Sequence, residues 1–72
     1  MDKKKLDGRL ASSLIDIAGG TTKVAKLFKV SPTYVSDFRT KGMGRAYVLY
    51  LSELHRGHPF FQTPEVVEFL KG

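Results

Sequence analysis

The sequence predicts an all-α fold, a compact bundle of four to five short helices that contains a helix-turn-helix. Apolar residues recur at helical spacing along most of the chain, and glycine and proline interrupt them at short intervals. A strand-like composition occurs only within 46–51, so no sheet is expected. With 72 residues, the chain is long enough for one domain spanning 1–72.

The first helix is predicted over residues 3–18, where the apolar positions with helical spacing are Leu6, Leu10, Leu14, Ile17 and Ala18. Gly19 and Gly20 end this helix, because glycine adopts the left-handed cap conformation without a Cβ penalty. The second helix begins at Thr21 or Thr22, since threonine can cap a helix N-terminus, and it ends near Lys29.

The third helix is predicted to begin at Ser31-Pro32, because serine is a favoured N-cap and proline suits the first helical position. Gly42 and Gly44 close this segment. The helix-turn-helix therefore covers about 21–40, and its predicted inward-facing residues are Val24, Ala25, Phe28, Val30, Val35 and Phe38. The remaining positions of the third helix face outward.

A fourth helix is predicted over 45–56, with Tyr47, Tyr50, Leu51 and Leu54 on its apolar stripe and Val48 and Leu49 beside them. A strand over 46–51 is the alternative, but the regular continuation through Leu54 favours a helix. Gly57, His58 and Pro59 then break the chain. A C-terminal helix is predicted over about 63–71, where Thr63-Pro64-Glu65 forms a second start signal.

The net charge of +5 is concentrated in one part of the chain. Residues 21–45 contain a single acid, Asp37, and six basic residues, which are Lys23, Lys26, Lys29, Arg39, Lys41 and Arg45. The sequence pI of about 9.8 is typical of proteins that bind nucleic acid. The position of this charge on the helix-turn-helix indicates DNA as the partner.

Gly19-Gly20-Thr21-Thr22-Lys23-Val24-Ala25, followed by Val30-Ser31-Pro32 and Val35-Ser36, resembles the small Cro-type repressors of phages and prophages. These repressors belong to the helix-turn-helix class of lambda-repressor-like DNA-binding domains, and the resemblance covers about residues 14–42. It implies a sequence-specific regulator, a repressor, that binds double-stranded DNA as a homodimer. The family usually has glycine in the turn, where this chain has Lys29, and a left-handed lysine costs about 1 kcal/mol.

The resemblance places the third helix in the major groove with its N-terminal end foremost. The base-facing positions that it implies are Pro32, Thr33, Ser36, Asp37 and Thr40. The phosphate contacts that it implies are Thr21, Thr22, Lys23, Tyr34, Arg39, Lys41 and Arg45. Because no arginine or glutamine is base-facing, direct readout is expected to be modest, and DNA shape supplies part of the specificity. Lys3-Lys4-Lys5 is either a basic arm against DNA or a solvated terminus.

The sequence argues against an enzyme and against a bound metal, cofactor or small-molecule ligand. It contains no cysteine, and His55 and His58 are too few for a zinc site, which takes three or four ligands. No catalytic arrangement of nucleophile and base stands out. No run approaches the roughly 18 apolar residues needed to cross a membrane, so no membrane partner is expected. The absence of cysteine suits a cytoplasmic location, which is the expectation.

The apolar C-terminal segment has two interpretations: it covers the core of the domain or forms a dimer interface. Its residues are Phe60, Phe61, Val66, Val67, Phe69 and Leu70.

Two other functions compete with the specific regulator. One is a protein-interaction module, such as an antitoxin or a phage adaptor, and the other is a non-specific DNA-binding protein. The concentration of charge in 21–45 favours DNA over a protein partner.

Overall fold

A computed structural model of the chain describes residues 5–71, and these residues confirm the all-α prediction. They contain five α-helices: α1 (Gly8–Ile17), α2 (Thr21–Phe28), α3 (Pro32–Lys41), α4 (Arg45–Leu54) and α5 (Pro64–Lys71). A short 3₁₀ helix, Pro59–Gln62, lies between α4 and α5. The strand content of 5–71 is two short strands, β1 (Lys5–Leu6) and β2 (Met43–Gly44).

The strand pair corrects two predictions, the absence of a sheet and the start of the first helix at residue 3. β1 pairs with β2 in antiparallel register, with Lys5 opposite Gly44 and Leu6 opposite Met43. The side chains of Leu6 and Met43 are both buried, so this pairing also extends the core. Helix α1 begins only at Gly8, because the Asp7 carboxylate accepts a hydrogen bond from the Arg9 amide at 3.2 Å and caps it.

Helix α1 approaches the C-terminal end of α3 at backbone-to-backbone distance. A Cβ atom on Gly8 would lie 2.8 Å from the carbonyl oxygen of Arg39 and 2.9 Å from that of Thr40. Gly42, with φ of +98°, makes a similar close approach to β1, since a Cβ atom on it would lie 2.5 Å from the carbonyl oxygen of Leu6. Glycine is therefore required sterically at both crossing points.

Helices α2 and α3 form the predicted helix-turn-helix, joined by a tight turn. Lys29 takes the left-handed conformation expected of a glycine, with φ of 58° and ψ of 45°. Ser31 and Pro32 act as predicted, and the Ser31 hydroxyl accepts a hydrogen bond from the Tyr34 amide at 3.2 Å. The N-cap of α2, however, is Gly20 rather than a threonine, so Thr21 is already the first residue of the helix. The N-cap residue has a φ of +101°, which glycine adopts more easily than threonine.

The core of the helix-turn-helix consists of the predicted inward residues, of which Val24, Ala25, Val35 and Phe38 are buried and Phe28 and Val30 pack against them. An aromatic ladder connects α3, α4 and α2 in the order Tyr34, Phe38, Tyr47, Phe28 and Tyr50. Its ring centroids are 5.3, 5.1, 4.8 and 5.5 Å apart along this series, which is the spacing of favourable aromatic pairs. The ladder fixes α4 against the helix-turn-helix.

Segment 45–54 is a helix, as predicted, but its inward stripe is narrower than the sequence indicated. Val48 and Leu51 are buried and Tyr47 is half-buried, whereas Tyr50 is 47% exposed and Leu54 is 51% exposed. Tyr50 still packs against the Phe28 ring of α2, and Leu54 is the last residue of α4. The apolar pattern therefore predicted the helix correctly but overestimated the width of its buried face.

The C-terminal segment packs on the core of its own chain, in agreement with the first of the two interpretations given for it, that it covers the core. Val66 and Phe69 of α5 are buried in the core. Phe60, Phe61 and Leu70 pack against that core while remaining half-buried, and Val67 is also half-buried. Four of the six apolar residues of this segment thus remain partly accessible.

Replacing Gly8 with alanine is expected to lower the free energy of unfolding by about 1–3 kcal/mol, because the new methyl group would enter the space of two carbonyl oxygens. Urea denaturation followed by circular dichroism measures this change. Ser13→Ala, at an exposed position of the same helix, is the control and should stay within about 0.5 kcal/mol of the parent chain. Equal stability of the two variants would contradict the close approach.

Lys29→Gly is expected to raise the free energy of unfolding by about 1 kcal/mol, because glycine adopts the left-handed conformation without strain. Lys29→Ala removes the same charge but keeps the Cβ atom, so it should give no such gain. Lys26→Gly, inside α2, should instead cost about 1 kcal/mol. Thermal and urea unfolding of the three variants measure these changes. An equal gain in stability in Lys29→Ala would show that loss of the charge, and not relief of the left-handed conformation, stabilises the protein.

Candidate nucleic-acid interface

The five residues predicted to face bases lie together on one outward strip of α3, here called the α3 face. The α3 face consists of Pro32, Thr33, Ser36, Asp37 and Thr40, all of which are exposed. Their spacing along the chain places them on the same side of the helix. This strip is opposite the buried pair Val35 and Phe38, which attaches α3 to the core.

The polar side chains of the α3 face make almost no hydrogen bonds within residues 5–71. Within residues 5–71, no hydrogen bond engages the hydroxyls of Thr33 and Ser36 or the carboxylate of Asp37, and only the Thr40 hydroxyl donates, to the Asp37 carbonyl at 3.2 Å. Hydroxyls can donate and accept, while a carboxylate accepts only. The α3 face therefore offers a small set of free hydrogen-bonding groups to a ligand.

Arg39, predicted as a phosphate contact, is instead occupied within the fold. Its guanidinium donates to the Ser12 hydroxyl at 2.6 Å, to the Asp16 carboxylate at 3.0 Å and to the Thr21 hydroxyl at 3.0 Å. These bonds connect α3 to α1 and to the first residue of α2, and only 28% of the Arg39 side chain is exposed. We call this arrangement the Arg39 clasp. It also occupies the Thr21 hydroxyl, another predicted phosphate contact.

Arg45 is likewise placed inside the structure. Its terminal nitrogen Nη2 donates to the carbonyl of Leu70 at 2.6 Å, which satisfies a free carbonyl in the last turn of α5. Its Nε is buried without a hydrogen-bond partner among residues 5–71. The cations of segment 21–45 that remain exposed are Lys23, Lys26, Lys29 and Lys41.

A groove of about 270 Å³ runs beside the C-terminal half of α3, and we call it the α3 groove. It is lined by Lys5, Tyr34, Asp37, Phe38, Lys41, Gly42, Gly44 and Tyr47. Pairing of β1 with β2 brings Lys5 to this place, opposite Gly44. Two ammonium groups, Lys5 and Lys41, therefore border the same groove next to the α3 face.

The phenol of Tyr47 remains protonated at neutral pH. The neighbouring Tyr34 side chain, and then burial, raise the pKa of Tyr47 above its ordinary value. A neutral phenol can donate a hydrogen bond to an anion in the α3 groove. Sequence reasoning placed Tyr47 only on the inward stripe of α4, and no local signal distinguished it from the other apolar residues there.

Lys5 was named in the sequence only as part of the basic cluster, of which Lys3 and Lys4 lie outside the described residues. Its position beside α3 depends on pairing between β1 and β2, which are far apart along the chain. Strands of two residues are too short to produce a recognisable alternation of apolar and polar residues. The sequence therefore contained no usable signal for this placement.

The N-terminus of α2 is a second place that favours anions. Gly20 caps it without a side-chain hydrogen bond, so the first amides of the helix keep their donors free of side-chain caps. Thr22 and Lys23 are exposed there, as predicted for phosphate contacts. Amide donors and the helix dipole both favour a negative group at this end.

The histidines are used in capping. The His58 ring nitrogen Nδ1 accepts a hydrogen bond from the Phe60 amide at 3.0 Å, and His55 is the C-terminal cap residue of α4. Across 5–71, no group of three or more histidine, aspartate or glutamate side chains is placed to hold a metal ion. No helix in that range is long and apolar enough to span a membrane.

Arg39→Lys is expected to lower the free energy of unfolding by about 1–3 kcal/mol, because lysine lacks the planar fork that reaches three partners. Urea denaturation provides the measurement. Lys41→Ala, two residues further along α3 and exposed, is the control and should change stability by less than about 0.5 kcal/mol. Unchanged stability in Arg39→Lys would show that the clasp contributes nothing to the fold.

Comparison with known proteins gave no match: no family model, no curated protein and no solved structure is similar to this chain. The function of the α3 face is therefore inferred from its own geometry, exposure and charge. The resemblance of 14–42 to Cro-type repressors remains a prediction from sequence.

Proposed function

We propose that this protein is a sequence-specific regulator of transcription that reads the major groove of double-stranded DNA with α3. One observation carries the proposal: the α3 face presents five exposed side chains on a single strip of a helix whose other side is anchored in the core. A major groove admits one α-helix, and its base edges are read by side chains on such a strip.

Contacts with α1 and α2 position α3 for this task. The Arg39 clasp connects α3 to α1 and α2, and Gly8 allows α1 to approach the backbone of α3 closely. A recognition helix that is already positioned loses little conformational entropy when it binds. The α3 face therefore meets DNA as a preformed surface.

The chemistry of the α3 face sets the expected readout. The Thr33 hydroxyl can bond a base edge, or its methyl group can pack against a thymine methyl. The Asp37 carboxylate accepts from cytosine N4 and repels phosphate at misplaced sites. Since the strip has no arginine or glutamine, part of the specificity is assigned to DNA shape and deformability.

Phosphate contacts are proposed on both sides of the α3 face. The first group is Thr22 and Lys23 with the free amides of α2, and the second is Lys5, Tyr34 and Lys41 at the α3 groove. Arg39, Arg45 and Thr21 are removed from the set that the sequence indicated, because each is engaged within the fold. Such contacts fix the register of the protein on DNA and carry no sequence information directly.

As a repressor of this kind, the protein would act as a homodimer on a palindromic operator in the cytoplasm of a bacterium or a phage-infected host. The half-buried residues Phe60, Phe61, Val67 and Leu70 are the part of the C-terminal segment that a partner subunit can reach. Val66 and Phe69 are excluded from that contact by their burial in the core of their own chain.

Selection from a random duplex library at near-physiological salt is expected to enrich a palindrome whose half-sites lie about 10 base pairs apart. Sequencing of the retained duplexes provides the measurement. Retention without an enriched motif would replace the proposal with non-specific DNA binding. If no duplex is retained, DNA binding itself is refuted.

Variants of α3 separate base contacts from phosphate contacts on the selected operator. Asp37→Asn should alter the preference at one base position by about 1–3 kcal/mol. Lys41→Ala should weaken binding to all sequences and reduce the salt slope by about one unit. Lys71→Ala, an exposed lysine on α5, is the control and should leave both properties unchanged. A uniform loss in Asp37→Asn would contradict its role in readout.

A further inference from the structure

A second groove lies where the end of α1, the outer side of α2 and the last turn of α4 meet. Its volume is about 560 Å³, and it is lined by Ala18, Lys23, Lys26, Leu27, Leu54 and His55. We call it the lysine-rimmed groove. None of these residues belongs to α3, so this groove is separate from the α3 face.

The floor of the lysine-rimmed groove is apolar and open to solvent. Leu27 is 38% exposed and Leu54 is 51% exposed, and Tyr50 extends the apolar surface one helical turn back along α4. Leaving two leucines and a tyrosine in water forgoes the free energy of burying them. Contiguous apolar surface with a polar rim is typical of protein interaction sites.

The positive charge on the rim of the groove favours a partner with acidic side chains. Lys23 and Lys26 stand one helical turn apart on α2, and no acidic residue among 5–71 lines the groove. A partner with carboxylates beside its apolar residues would neutralise this rim, whereas a second copy of this chain brings a net charge of +5. Charge complementarity thus favours an acidic protein segment over a homodimer at this place.

We propose that the lysine-rimmed groove binds an acidic amphipathic helix of another protein. Two apolar side chains of that helix, three or four residues apart, enter the groove between Leu27 and Leu54. Its glutamate or aspartate residues then face Lys23 and Lys26. The proposal does not depend on DNA binding, although Lys23 is shared with the proposed phosphate contacts.

The test is selection of displayed random 16-residue peptides on the full chain, followed by affinity measurements with the enriched peptide carrying a fluorescent label. Enriched peptides are expected to be acidic, with apolar residues spaced by three or four. Leu54→Ser and Lys26→Glu should each weaken binding about tenfold or more. Leu49→Ser, an exposed leucine of α4 outside the groove, is the matched control and should bind normally.

Circular dichroism of each variant checks that the fold is retained, which the exposure of the replaced side chains leads us to expect. Three results would overturn the proposal: no enriched peptide, enriched peptides without acidic residues, or equal weakening in Leu49→Ser. Sedimentation that shows a dimer of the parent chain, dissociated by Leu54→Ser, would assign the groove to a second copy instead. Failure of the duplex selection would refute DNA binding and leave the peptide result standing.

Discussion

The close approach of α1 to the backbone of α3 is the constraint on which the rest of this structure depends. Gly8 has no Cβ atom, so the carbonyl oxygens of Arg39 and Thr40 can lie 2.8 and 2.9 Å from the position that a Cβ would take. This proximity brings Ser12 and Asp16 within reach of the Arg39 guanidinium, and the clasp forms. The orientation of the whole α3 face follows from that contact, because α3 can neither slide nor rotate without breaking it.

The two kinds of cation in segment 21–45 have different uses. Arg39 and Arg45 lie partly buried, because a planar guanidinium can satisfy several acceptors at once in a fixed geometry. The lysines of segment 21–45 stay at the surface, where a compact ammonium group keeps its hydration. Segment 21–45 therefore contains two basic residues that stabilise the fold and four that stay at its surface, and its net charge alone does not distinguish them.

Local features were predictable from the sequence, and long-range ones were not. The helices and the Ser31 cap follow from spacing and from conformational preferences of single residues. The left-handed conformation of Lys29 was implied by the resemblance alone, because the preference of lysine opposes it. Helical periodicity also predicted which side of α3 points outward, whereas the choice of the five residues of the α3 face came from the resemblance. The β1–β2 pair, the Arg39 clasp and the exposure of Leu54 depend on which elements meet in space. No pattern confined to one segment contains that information.

The aromatic ladder gives this chain a built-in optical reporter. The sequence has three tyrosines and no tryptophan, so its near-ultraviolet emission comes from tyrosine alone. Tyr34 stands at one end of the ladder beside the α3 face, and Tyr50 stands at the other, one turn from Leu54. Emission from a chain in which Tyr47 and one of these two residues are replaced by phenylalanine would report on one surface at a time, without an attached dye.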